Sequence, residues 1–205
     1  MKTPQLALMG SLVAATCALP GESAADVPDA TTPAGVQGAA ASDEPADATP
    51  VSAYSCEQEQ KFREFDFWIG EWEVRTADGA LAGRNVIESS EKGCVLLEKW
   101  TSASGGTGIS MNYLDKITDE WVQLWIDAGG GQINIRGGLT DAGMLLIGQI
   151  HYASNGTTAP FRGLWTQQPD GRLRQFFEQS NDGGETWEPW FEGFYSRITA
   201  MEPVD

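Results

Sequence analysis

From residue 68 onward the chain alternates apolar and polar positions in short runs, each broken by a cluster rich in Gly, Asp, Asn or Ser. The runs are WIGEWEVR, RNVIES, CVLLEKW, ISMNYL, WVQLWI, INIRGGL, MLLIGQIHY, FRGLW, RLRQFFEQ and WEPWFEGFYSRI. Between them lie TADGALAG, SEKG, SGGTG, LDKITDE, DAGGG, LTDAG, ASNGT, QPDG and NDGGE, the residues of tight turns. A period of two sends successive side chains to opposite faces, so each run predicts a half-buried strand. About ten short strands in sequential hairpins, with no long helical pattern, predict an all-β, up-and-down antiparallel sheet. Closing that sheet into a barrel removes its exposed edges; a two-sheet sandwich is the main alternative. Ahead of the first strand, CEQEQKFREFDFW sets Phe62, Phe65 and Phe67 among charged residues and predicts a short helical turn.

The N-terminal stretch changes the picture of where this domain begins. Lys2 precedes an apolar run from Leu6 to Leu19, then small residues before Asp26, the layout of a secretory signal peptide over 1–25. That run is short for a bilayer core of roughly 30 Å, so no transmembrane span is expected. Cys17 offers a lipoprotein alternative, although Thr16 fits poorly where processing favours a small residue. Residues 26–55 are rich in Ala, Pro, Thr and Ser and carry Asp and Glu without Lys or Arg, which predicts a disordered acidic tether. The barrel domain is then expected over 56–201.

Charge narrows the partners. The formal net charge is -16, and residues 56–201 carry 21 acidic against 12 basic side chains with no Lys/Arg cluster. Nucleic-acid binding, which needs phosphate neutralisation, is not expected. The two cysteines that survive signal removal, Cys56 and Cys94, predict one disulfide from the start of the domain into a strand. Two free thiols are the alternative.

Gly70-Glu71-Trp72, opening the first strand after a helical turn, resembles the Gly-x-Trp of lipocalins and other calycins. The resemblance implies that Trp72 packs under an arginine of the last strand, for which Arg197 in FYSRI is the candidate. FDFWIGEWEV, GCVLLEKW, MNYLDKITDEWVQLWID and SNDGGETW together resemble an exported bacterial family of uncharacterised lipocalin-like proteins. That likeness implies a fold and no activity. In outline the meander also resembles nitrobindin-type ten-stranded haem barrels, without a matching haem-ligand motif. SNDGGETW further resembles the Asp-box hairpin of sialidases and related propellers, where it recurs blade after blade; here the full pattern occurs once. Local physics accounts for it as a turn joining the last two strands. Asp182 can accept backbone N–H bonds, Gly183 and Gly184 allow positive φ, and Trp187 can pack beneath.

Candidate chemistry is sparse. His151, the single histidine, would have to serve any Ser-His-Asp triad, and no Gly-x-Ser-x-Gly elbow accompanies a serine. One histidine cannot build a multi-His metal site, and neither cofactor nor metal is expected. Trp121, Gln123 and Trp125 share one face of WVQLWID, while Val122, Leu124 and Ile126 share the other. With Trp165 they suggest an aromatic ligand wall carrying one polar contact, or alternatively the filling of a dry core. Glu98, Asn112, Arg136, Arg162, Arg174 and Gln175 interrupt apolar strands; of the neighbours Arg174 and Gln175, one must face outward. The reading that results is a small apolar or amphipathic ligand held in the lumen, with Trp121, Gln123, Trp125, Trp165, Arg174 and His151 as candidate contacts. The alternatives are a hydrolase of glycans or small esters using carboxylates and His151, and a filled barrel acting as an interaction module.

Overall fold

A computed structural model describes residues 55–198. The expected signal peptide, and all but the last residue of the expected tether, lie outside the described residues. Ten strands run in chain order as β1 (Gly70–Arg75), β2 (Leu81–Ser90), β3 (Val95–Ser102), β4 (Thr107–Asp115) and β5 (Glu120–Asp127), followed by β6 (Gln132–Thr140), β7 (Gly143–Tyr152), β8 (Thr157–Gln167), β9 (Leu173–Gln179) and β10 (Glu188–Arg197). Each pairs antiparallel with its neighbour in sequence, and β1 pairs with β10, so the sheet closes into an up-and-down barrel. All ten predicted runs became strands, and the sandwich is excluded. Among the described residues no helix is long and apolar enough to cross a membrane.

The two ends of the barrel differ. At one end, short 3-10 turns at Gln60–Arg63 and Asp66–Trp68 push Phe62, Phe65 and Trp68 into the lumen, each 3% exposed or less. Phe65 stacks on Trp68 at 5.0 Å and meets Trp121 and Trp165 edge-on at 5.6 and 5.3 Å. This plug is fastened from outside. Arg63 donates to the Gly93 carbonyl at 2.5 Å, Lys61 to the Asp119 carbonyl at 2.8 Å, and the Cys56–Cys94 disulfide ties it to the turn before β3. Cys94 thus sits just ahead of its strand, where the sequence had suggested a place within it. The cross-link spans 38 residues. Closing a loop of that length removes unfolded-chain entropy worth about 3–4 kcal/mol in the chain-entropy picture.

The seam lies at the same end. Trp72 and Arg197 are register partners across β1 and β10, and the guanidinium carbon stands 4.4 Å from the centre of the Trp72 ring. Arg197 also donates to the Ile69 carbonyl at 3.0 Å, and the Trp72 indole donates to the Trp68 carbonyl at 2.9 Å. Gly70 makes room for this arrangement. It holds φ +143°, and a Cβ there would collide with the guanidinium. Gly70→Ala is expected to cost about 2 kcal/mol through backbone strain and the displaced arginine. Chemical denaturation would read this as a lower midpoint at unchanged slope.

Candidate functional site

Halfway along the lumen the packing changes from apolar to polar. Asn85, Glu98, Ser110, Asn112, Gln123 and Gln175 are all 4% exposed or less, on five strands. The Glu98 carboxylate accepts from Asn85 Nδ2 at 2.7 Å and from Ser110 Oγ at 2.6 Å. Asn112 steadies Ser110 with a 2.8 Å bond to its oxygen. The Tyr195 hydroxyl accepts from Asn85 Nδ2 at 3.3 Å and gives its own proton to Gln175 Oε1. Burial drives the Glu98 carboxyl up to about 7 from an ordinary 4.5, and the bonds from Ser110 and Asn85 only partly oppose this. The Tyr195 phenol is raised too, by burial first and by the neighbouring Glu98 charge second.

Above this layer is a cavity of about 300 Å³, near the lower bound for small-molecule sites. Its walls are the rings of Trp100, Trp125, Phe177, Trp190 and Phe191, and Glu98, Gln123, Gln175 and Tyr195 form its polar floor. The lining holds no Lys, Arg or His. Large rings fit here because small residues lie behind them. A Cβ on Gly108 would overlap the Trp125 indole, one on Gly83 would come within 2.8 Å of Trp100, and one on Gly163 would overlap Phe177. These inward glycines leave hollows into which the aromatics recline, so the centre of the upper lumen stays empty.

The collar owes its shape to a bulge. The β9–β10 register shifts between Pro189 and Phe191, leaving Trp190 as an extra residue. Strict alternation would turn Trp190 outward. The bulge instead brings its ring edge-on to Phe161 at 5.3 Å, and its indole donates to the Tyr152 hydroxyl at 2.9 Å. Trp190 and Phe191 therefore both border the cavity, with Trp190 47% exposed at the opening.

The candidate residues divide across this geometry. Gln123 and Trp125 line the cavity, which settles the inward face of β5. Trp121 and Trp165 point inward as well, but they are packed against Phe65 in the filled half. Arg174 and His151 do not reach the lumen, because their neighbours Gln175 and Ile150 occupy the inward positions. Arg174 pairs with Glu192 at 2.6 Å on the outer face, and His151 Nδ1 shares a 3.0 Å hydrogen bond with Thr158. Arg136 and Arg162 are likewise outside, facing Glu120 and Glu178. The structure adds Asn85, Trp100, Ser110, Trp190 and Tyr195, which the sequence reading had not singled out. Among the described residues no group of three or more His, Cys, Asp or Glu side chains is placed to hold a metal ion.

The SNDGGETW hairpin joins β9 to β10 at the cavity end. Asp182 accepts from the Thr186 backbone N–H at 2.8 Å, from its hydroxyl at 2.5 Å and from Ser180 at 2.7 Å, and these bonds hold its carboxyl well below the usual range. Trp187 lies outside the barrel beneath the Arg162 guanidinium, 4.3 Å away. The Asp182 contacts stabilise a turn, and the Trp187 contact ties its end to β8.

Fold and site together define a cup-shaped ten-stranded barrel: plugged at one end, polar at mid-depth, aromatic at the opening. No protein-family model and no curated protein sequence matches the chain.

Proposed function

We propose that this protein is an exported binder of a small amphipathic molecule, held in the upper lumen of a lipocalin-like barrel. The observation that carries the reading is the composition of the cavity: five aromatic rings around an open space, over a floor of hydrogen-bonding side chains. Apolar walls supply affinity through burial, and a few converging polar groups fix orientation. The hydrolase alternative called for two facing carboxylates or for His151 beside one. Glu98 is the single carboxylate of the cavity lining, and His151 is on the outer face. The Cys56–Cys94 disulfide supports an oxidising compartment, in keeping with the export signal read from residues 1–25.

Native mass spectrometry of gently purified protein should reveal a co-purifying small molecule. Titration with a panel of lipids and aromatic compounds should quench or shift the fluorescence of Trp100, Trp125 and Trp190. An absence of both signals would rule against the reading. Gly108→Ala provides a structural control, since the added methyl drives the Trp125 indole off the wall and into the cavity. It is expected to weaken a ligand found by the panel about tenfold, or 1.4 kcal/mol.

A further inference from the structure

We propose that the cavity's ligand is cationic: a lipophilic amine whose ammonium group rests on the Glu98 floor while its apolar body lies among the tryptophans. This deepens the binding reading above and rests on it.

The hydrogen-bonding groups at mid-depth favour a cation. Glu98 presents two carboxylate oxygens, which receive one bond each from Asn85 and Ser110. A carboxylate accommodates about four such bonds, so acceptor capacity is left over. The Gln123 carbonyl oxygen is fully buried without a partner, and so is the Asn85 oxygen. The Tyr195 hydroxyl has already committed its proton to Gln175. The Glu98 carboxylate therefore has accepting capacity to spare, and the lining contains no basic side chain to use it. Arg136, Arg162 and Arg174, in the middle of strands, are outside and paired with acids, and Arg84 of β2 is outward and exposed as well. A carboxylate buried without a counter-charge is costly, and an ammonium with three donors is the group that relieves it. The walls agree, because the π faces of Trp100, Trp125 and Trp190 attract cations as well as hydrocarbon.

The opening favours a cation independently of the floor. The five connections at the cavity end, 76–80, 103–106, 128–131, 153–156 and 180–187, carry Asp78, Asp182 and Glu185 and not one Lys or Arg. Arg75, at the rim end of β1, is held by Glu73 at 2.8 Å. The acids of these loops, unopposed by Lys or Arg, draw cations toward the mouth and repel anions from it.

Three probes of one skeleton test the proposal by calorimetry at pH 8: 4-phenylbutylamine, 4-phenylbutan-1-ol and 4-phenylbutanoate. The expected order on the wild-type protein is amine first, at least tenfold tighter than the alcohol, with the carboxylate weakest. In Glu98→Gln the amine's advantage should fall below threefold while the alcohol keeps its affinity within threefold. If the alcohol or the carboxylate binds the wild-type protein as tightly as the amine does, the cationic ligand is refuted and the cavity remains a binding site. An amine preference that survives Glu98→Gln refutes it equally, since the net acidity of the chain would then be the source. If none of the three binds, the cavity reading itself fails. The wild-type ranking requires no variant, so a tie or a reversal there refutes the proposal even if Glu98→Gln folds poorly, and a repeat at pH 5.5, where Glu98 is protonated, should abolish the amine's advantage or refute it likewise.

Discussion

Phe65→Ala should destabilise the domain by about 3–5 kcal/mol, the range for truncating a fully buried aromatic whose surroundings cannot collapse. Phe65 is completely buried and touches the rings of Phe67, Trp68, Trp121 and Trp165. Three of those partners are themselves held in place. Trp68 is the last residue of the second 3-10 turn, and Trp121 and Trp165 are anchored in paired strands. The plug is further fixed by the disulfide and by Arg63. None of these can move into the space a phenyl ring leaves, so the cavity term adds to the lost transfer term. The melting temperature should fall by roughly 10 °C or more for a domain of this size. A loss below 1 kcal/mol would show that the aromatic cluster closes the end without supporting the fold.

Glu98→Gln should do the opposite above neutral pH and alter the pH dependence of stability. The Glu98 carboxyl titrates near 7 when folded, against an ordinary value of 4.5. Between those two values the folded state holds a proton that the unfolded chain has released, so stability falls as pH rises through the window. The stabilisation relative to the ionised form is fully present below 4.5 and lost as pH passes 7, amounting to about 3 kcal/mol. A glutamine keeps the neutral shape at every pH. Its oxygen can accept from Asn85, and its NH2 can donate to Ser110. Denaturant unfolding at pH 8 should therefore find the variant more stable than the parent, with the difference vanishing near pH 4.5. The exposed aspartates drop out because both proteins share them. A difference that does not vary with pH would mean that Glu98 is ionised throughout.

The barrel was legible in the sequence because its signals are local. A period of two, Gly/Asp/Asn turns and a Gly70-x-Trp72 opening each act over a few residues, and all pointed to the same meander. The site was legible only in part, since alternation says which side chains share a face and not which face is inward. On β5 both faces are apolar, and the choice was made by the neighbouring strand, where Gly108 of β4 leaves room for the Trp125 ring. On β9 alternation left either Arg174 or Gln175 inside; the acid on the neighbouring strand, Glu192, had already claimed the arginine. The clearest omission was Trp190. A bulge breaks the period of two, so a pattern count assigns that residue to solvent. Pro189 was the available clue, because a residue without an N–H is tolerated in a strand mainly at edges and bulges.

The plug of Phe62, Phe65 and Trp68 has a kinetic consequence. A lumen sealed at one end has a single doorway, so whatever enters must leave by retracing its path. Loop changes at the rim that widen or narrow this doorway, at 103–106 or 128–131 for instance, should scale arrival and departure by the same factor. The equilibrium constant would then stay where it was. If the proposed binding holds, such a cup would trade its contents slowly or quickly without holding them more or less tightly, and exchange rate would be a property of the rim, separate from the floor that would select the guest.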